Sequence, residues 1–69
     1  MTIKVPGFDD FICNSSWTVE EAEERIRNRF GLERGIIQFN NEALRPKLSF
    51  QQQIIGRSGI LSFDYAVLD

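Results

Sequence analysis

Residues 17–32 read WTVEEAEERIRNRFGL, and this stretch predicts the main helix of the fold. Thr18 is followed three residues later by Glu21, the spacing of a capping box, in which two side chains satisfy free backbone N–H groups at a helix start. Apolar side chains then recur at spacings of three and four along one face: Val19, Ala22, Ile26 and Phe30. Gly31 is expected to end the helix, because glycine adopts the left-handed conformation that closes helices. The apolar stripe requires a core on that side.

The charged residues of the same stretch follow the helix dipole. Glutamates occupy the first turns and arginines the last, an order that stabilises both helix ends. We expect two ion pairs at i,i+4 spacing, Glu21–Arg25 and Glu23–Arg27, and packing of Trp17 on Ala22 as a hydrophobic staple. Helix electrostatics is the interpretation we favour for this charge run; the alternative is a docking face.

Two short strands are predicted before the helix. Residues 2–5 (TIKV) alternate polar and apolar side chains, as a half-buried strand does. Residues 8–14 (FDDFICN) give a second strand, in which Ile12 faces away from the core side. The Pro-Gly pair between the two segments is typical of a turn, so a hairpin is expected, with Asp9 and Asp10 either in the second strand or in the turn.

Three further strands are predicted after the helix. Residues 36–39 (IIQF) form a strand, and Asn40-Asn41 a turn that leads to a short strand around residues 43–44. Residues 45–55 (RPKLSFQQQII) are predicted to be a loop, anchored by Leu48, Phe50 and Ile54 or Ile55. Residues 60–68 (ILSFDYAVL) alternate again, which predicts a last strand with one face formed by Leu61, Phe63, Tyr65 and Val67 and the other by Ser62, Asp64 and Ala66.

The predicted order is therefore β-β-α-β-β-β within a single domain, residues 1–69. One helix of this length covers one face of a sheet, and the other face meets water. The fold class predicted from the pattern is α+β.

Composition excludes several classes of function. The chain has no histidine and one cysteine, so neither a zinc site nor a histidine-based catalytic centre is expected, and no glycine pattern matches a phosphate loop. We therefore expect no enzyme activity, no metal and no cofactor. The net charge of −2 and the absence of a basic block argue against nucleic acid or an anionic membrane as the partner.

Three further expectations concern the setting of the protein. No apolar run reaches the length of a membrane span, and no signal-peptide region is present at the N-terminus. The lone Cys13 is expected to be a small buried hydrophobe in a reducing compartment, the cytoplasm or nucleus. The chain is expected to be a monomer.

Four segments together resemble the ubiquitin-like β-grasp family: TVEEAEERI and FGL of the helix, IIQFNNEAL, and LSFQQQIIGRSGILSF. The resemblance covers nearly the whole chain and depends on the order and spacing of these segments. It implies a mixed sheet with one main helix packed on one face. It also implies that Gln38 lies where ubiquitin presents the isoleucine of its recognition patch, which explains a polar residue in an otherwise apolar strand.

The same resemblance implies a protein-binding surface. Ser62 and Asp64 fall on the last-strand positions of the patch, and Phe8 lies near its hairpin-loop member. Replacing isoleucine and valine with glutamine and aspartate removes about 1.5–3 kcal/mol per buried side chain, so ordinary ubiquitin-type recognition should be weak. The candidate site comprises Lys4, Phe8, Ile12, Ile36, Gln38, Ser62 and Asp64.

The departures from the family indicate a non-conjugating member. The chain ends in YAVLD without a diglycine, and Glu42 lies near the position of ubiquitin's principal chain-forming lysine. The expected function is that of a non-catalytic adaptor domain of a longer protein, linking it to ubiquitin or proteasome-pathway factors or to other proteins.

Two other functions stay open from the sequence. Ras-association domains share the β-grasp and bind a GTPase along the second strand, although Asp9 and Asp10 make that strand acidic here. The stretch IIGRSGI resembles the GXXG element of KH domains, which bind single-stranded nucleic acid. A KH domain requires a helix after that loop, where this sequence alternates like a strand.

Overall fold

A computed structural model describes residues 1–65; the predicted inward position of Val67 and outward position of Ala66 lie outside the described residues. The elements follow the chain in this order: β1 Thr2–Ile3, β2 Phe11–Ile12, α1 Val19–Phe30, β3 Ile36–Phe39, β4 Glu42–Ala43, α2 Phe50–Ile54 and β5 Leu61–Asp64. The predicted α+β class with one main helix is confirmed, and α2 is an addition to the predicted order.

The strands form two antiparallel sheets that a parallel bridge connects. β1 pairs with β2, and β3 pairs with β4 on one side and β5 on the other. A parallel bridge between Lys4 and Ser62 joins the two sheets, with Lys4 N–H donating to the Leu61 carbonyl at 2.9 Å and Phe63 N–H donating to the Lys4 carbonyl at 2.8 Å. The strands thus run in the spatial order β2, β1, β5, β3, β4.

The core lies between the strands and α1. The alternation predicted for β3 and β5 holds, since every second residue of these two strands is buried. From the helix, Val19, Ala22 and Ile26 have no exposed surface, and Phe30 is half-buried. The buried apolar residues are Ile3, Val5, Cys13, Val19, Ala22, Ile26, Ile37, Phe39, Phe50, Leu61 and Phe63.

The ends of α1 are closed largely as predicted. Thr18 Oγ1 accepts a hydrogen bond from Glu21 N–H at 3.2 Å, and Gly31 takes the left-handed conformation at φ 69°. The Glu21 carboxylate pairs with Arg25 at 3.2 Å, so the side-chain half of the capping box is replaced by the predicted i,i+4 ion pair. The Arg25 guanidinium also lies 4.3 Å from the centroid of the Trp17 ring.

The predicted Glu23–Arg27 ion pair is wrong. Glu23 is 9% exposed and faces the sheet, where its Oε2 accepts a hydrogen bond from Ile37 N–H at 2.9 Å. Arg27 donates to the Gly35 carbonyl at 3.2 Å. A buried backbone N–H at the start of β3 requires an acceptor, and this carboxylate supplies it.

The Asn40-Asn41 turn forms as predicted. Both residues have positive φ, 52° and 68°, as the two central residues of a type I′ turn require. The turn sets the register of the β3–β4 hairpin, with Gln38 opposite Ala43 and Phe39 opposite Glu42.

The predicted loop at residues 45–55 contains a helix, α2, and this prediction is corrected. Ser49 and Gln52 form a complete capping box, each bonding to the backbone of the other. Phe50 is fully buried and Ile54 half-buried, whereas Ile55 is exposed. Phe50 and Ile54, the predicted anchors of a loop, therefore anchor a short helix.

The N-termini of the two helices lie side by side. Thr18 and Ser49, the two N-cap residues, form an antiparallel bridge. Val19 N–H donates to the Leu48 carbonyl at 3.0 Å, and Gln51 N–H donates to the Ser15 carbonyl at 3.0 Å. Helix-start N–H groups, which have no acceptor within their own helix, thus find acceptors in the segment that precedes the other helix.

Candidate functional site

A row of polar side chains crosses the sheet on the side away from α1. Lys4 is bridged to Ser62, Ser62 pairs with Gln38, and Gln38 pairs with Ala43. Their neighbours along each central strand point into the core, so these four side chains point the other way. Gln38 is therefore outward, as expected, and does not disturb the core.

The other outward residues lie on opposite sides of this row. Ile36 pairs with Asp64 on one side. Ile12 pairs with Thr2 on the other side, because β1 runs parallel to β5 and Lys4 is bridged to Ser62. Ile12 is 72% exposed and Ile36 is 45% exposed. We use the term outer face for Lys4, Ile12, Ile36, Gln38, Ala43, Ser62 and Asp64.

The outer face has one cation, Lys4, and one carboxylate, Asp64, and Asp10 beside Lys4 gives this region a small excess of negative charge. Lys4 Nζ lies 3.8 Å from a carboxylate oxygen of Asp10, and both side chains are at least half exposed. An exposed pair of this kind contributes about 0–1 kcal/mol, and it leaves little free positive charge on the face. Asp64 is exposed beside Ile36, at a distance from the Lys4–Asp10 pair. A partner that covers this part of the outer face therefore meets an exposed carboxylate.

Phe8 lies apart from the other predicted site residues. Its ring centroid is 4.8 Å from that of Phe30, at the end of α1, and 5.9 Å from that of Tyr65. Tyr65 in turn donates a hydrogen bond to the Pro6 carbonyl. The structure therefore brings six of the seven predicted residues to the outer face and places Phe8 in an aromatic cluster at the helix end.

Two residues of this region were missed by the sequence reasoning. Ala43, an apolar residue, ends the row beside Gln38, and a two-residue turn at Asn40-Asn41 fixes its register opposite Gln38. Asp10 reaches Lys4 across the β1–β2 hairpin. Both residues could have been predicted by working out the register of each hairpin residue by residue.

Neither a metal-binding cluster nor an exposed cysteine is found among the described residues. Among residues 1–65, no group of three histidine, cysteine, aspartate or glutamate side chains lies close enough to hold a metal ion. Cys13 is buried, and burial raises the pKa of its thiol to about 11. The thiol is therefore protonated at neutral pH, the unreactive form.

Within the same residues, none of the helices has the length and apolar character needed to cross a bilayer. In comparisons with known proteins, no family model matches this chain, and no curated protein matches its sequence.

Proposed function

We propose that this chain is a ubiquitin-like β-grasp domain that acts as a non-catalytic protein–protein interaction module through its outer face. The support from the fold is the parallel bridge that places β1 beside β5, with α1 packed across the core and a short helix between β4 and β5. The single observation that carries the proposal is the alignment of Lys4, Ser62 and Gln38 across adjacent strands, since it presents side chains from three separate segments as one surface.

The outer face favours a partner with mixed chemistry. Gln38 and Ser62 at its centre can each donate and accept hydrogen bonds, and Asp64 favours a basic group opposite it. Burying the 72% exposed Ile12 contributes up to about 1.5–3 kcal/mol, and the 45% exposed Ile36 contributes less. We propose a partner surface that places apolar contacts over the two isoleucines and a cation near Asp64.

The partner class that we propose is a protein of the ubiquitin–proteasome pathway, with this chain as the adaptor domain of a larger protein. The test is an affinity pull-down from a eukaryotic cell extract with partners identified by mass spectrometry. The bait is compared with a Gln38→Arg/Asp64→Arg variant. The matched control, Asn28→Arg/Glu24→Arg, makes the same change in net charge at two exposed positions of α1.

Loss of ubiquitin-pathway partners in the outer-face variant, but not in the α1 variant, supports the proposal. Partners retained by the outer-face variant and lost by the α1 variant would move the function to the helix, the docking-face alternative for its charges. Thermal unfolding of all three proteins is measured beside the pull-down, because binding that is lost through unfolding does not test the role of the outer face.

The β-grasp assignment has its own test. In the NMR spectrum of the labelled chain, parallel pairing predicts nuclear Overhauser contacts between Lys4 and the backbone of residues 61–63. Their absence, with contacts of β1 to β2 alone, would overturn the assignment while leaving the outer face of β3–β5 intact.

The two alternative functions receive less support. GTPase binding of the Ras-association type uses a basic second strand, whereas β2 is two residues long, and Lys4, across the hairpin from it, is paired with Asp10. A KH-like function requires a helix after GRSG, and the described chain has β5 there. We therefore propose neither.

A further inference from the structure

A groove of about 330 Å³ runs between β4 and α2. Its volume is at the small end of the roughly 300–1,000 Å³ that ligand sites occupy. The apolar part of its lining is formed by Phe39, Leu44 and Leu48, and its charged part by Arg45, Arg57 and Glu42. The β3–β4 hairpin lies between this groove and the outer face, since Glu42 pairs with inward Phe39 and Ala43 with outward Gln38. Ala43 borders both surfaces.

The two arginines are held in place by the fold. The Arg57 guanidinium lies 5.1 Å from the centroid of the Phe39 ring, a cation–π arrangement. The Arg45 backbone is fixed on both sides by Gln53, whose amide oxygen accepts from Arg45 N–H and whose amide nitrogen donates to the Arg45 carbonyl, each at 2.8 Å. Arg45 and Arg57 thus flank the groove from two separately anchored segments.

The positive charge of both arginines is available to a ligand. In the part of the chain that the structure describes, no carboxylate oxygen lies within 4.0 Å of either guanidinium. With Glu42, the lining carries a net charge of +1, on a chain whose net charge is −2. The groove is therefore a local exception to the acidic character of the molecule.

We propose that this groove is a second binding site, which takes an extended acidic segment of another protein with leucine-like side chains between its carboxylates. The apolar lining suits an aliphatic side chain, and a guanidinium can bind a carboxylate through two parallel hydrogen bonds. The site is independent of the outer face, so its success or failure does not depend on the function proposed above.

The test is an NMR titration of the ¹⁵N-labelled chain with the peptide acetyl-Glu-Glu-Leu-Leu-Glu-Glu-amide. Binding is expected to shift the amide signals of residues 44–45 and 52–53. The same peptide with glutamine in place of every glutamate should bind at least about fivefold more weakly, because it keeps the apolar contacts and loses the charge. A single-stranded oligothymidylate of eight nucleotides is titrated in parallel.

Three variants sharpen the test. Arg45→Gln/Arg57→Gln should weaken binding about tenfold, and the control Arg29→Gln/Arg34→Gln, with the same net charge, less than about twofold. Glu42→Gln should tighten binding about twofold, since it removes the one acidic side chain of the lining. A gain of affinity cannot come from a loss of fold.

The proposal is overturned if the glutamine peptide binds as well as the glutamate peptide, or if the groove double variant binds as the wild type does. It is also overturned if the shifts fall on the outer face, or if the oligothymidylate shifts the groove residues and the peptide does not.

Discussion

The two helices are built on the same plan but depend on different parts of the sequence. Each begins at a hydroxyl N-cap, Thr18 in α1 and Ser49 in α2. Each also uses a side chain to bind backbone of a neighbouring segment: Glu23 of α1 accepts from Ile37 N–H, and Gln53 of α2 bonds to Arg45. The plan is shared, whereas length and charge differ.

The difference teaches where the information for each helix lies. α1 has twelve residues, and its apolar stripe encodes both the helix and the face that it buries. α2 has five residues and one buried side chain, Phe50, too few for a period to be recognised, and an isolated helix of that length is not stable in water. Its neighbours, through the core and through Gln53, determine its conformation.

The largest expected effect comes from removing the core anchor of α2. Phe50 is fully buried, so Phe50→Ala should lower the free energy of unfolding by about 3–5 kcal/mol. That is comparable to the whole stability of a domain of this size, roughly 3–5 kcal/mol, and the variant should be largely unfolded by circular dichroism at 37 °C. Phe8→Ala, at a position that is 43% exposed, is the control. Equal losses in the two variants would mean that α2 is a surface feature and not part of the core.

The next effect tests the hydrogen bonds that Gln53 of α2 donates to the preceding segment. Gln53 Nε2 donates to the carbonyls of Arg45 at 2.8 Å and Leu48 at 3.2 Å, and Gln53→Glu removes these donors without changing the shape. We expect a loss of about 1–3 kcal/mol in chemical denaturation. Gln51→Glu makes the same change at an exposed position of the same helix, and should alter stability by less than about 0.5 kcal/mol. A similar loss in both variants would point to charge and not to the lost hydrogen bonds.

A smaller effect distinguishes the two N-caps. Ser49→Ala and Thr18→Ala should each cost about 1 kcal/mol. In double-mutant cycles, Ser49 and Gln52 should be coupled by about 0.5–1 kcal/mol, because their capping box is reciprocal. Coupling between Thr18 and Glu21 should be near zero, since the Glu21 carboxylate pairs with Arg25. Equal coupling at the two caps would remove this difference between the helices.

The smallest effect concerns the charge of Glu23, the α1 side chain that accepts a hydrogen bond from β3. Burial raises the pKa of the Glu23 carboxyl above its ordinary value, despite the hydrogen bond from Ile37. A raised pKa in the folded state means that the contribution of Glu23 to stability is fully present below its unfolded pKa and is lost as pH rises through the folded value. Glu23→Gln keeps an acceptor for Ile37 N–H and removes that loss.

The Glu23→Gln variant should therefore be more stable than the wild type at pH 7, and its advantage should shrink toward pH 4. Chemical denaturation at the two pH values measures the difference, and Glu24→Gln, at an exposed neighbouring position, is the control. An advantage that is the same at both pH values would contradict the assignment of the effect to burial of the carboxylate.

Much of the fold follows from local pattern. The apolar period of α1 is specific to a helix, and the alternation of β5 is specific to a strand. The Asn40-Asn41 pair is typical of a two-residue hairpin turn. α2 carries a signal as well, the S-x-x-Q spacing of Ser49 and Gln52, but Pro46 and the lack of an apolar period favoured a loop. Glu23 was misassigned because i,i+4 spacing indicates a neighbour on the helix and carries no information about the strand beneath it.

The site was predictable to the extent that alternation determines faces. Gln38, Ser62 and Asp64 alternate along their strands with buried residues, and they point outward as expected. Phe8 lies in a turn, where no period applies, and its aromatic contacts with Phe30 and Tyr65 are long-range. The β4–α2 groove depends on the packing of α2, and the sequence reasoning had no helix there to form it.

The parallel bridge between Lys4 and Ser62 has a consequence for biosynthesis. Nearly all of the described chain lies between these two residues, so β1 cannot pair with β5 until all of the elements between them have left the ribosome. α1 and the β3–β4 hairpin can form during synthesis, since their contacts are local. The complete sheet, and with it the outer face, can assemble only after translation has passed β5. No partial chain can present that face during synthesis.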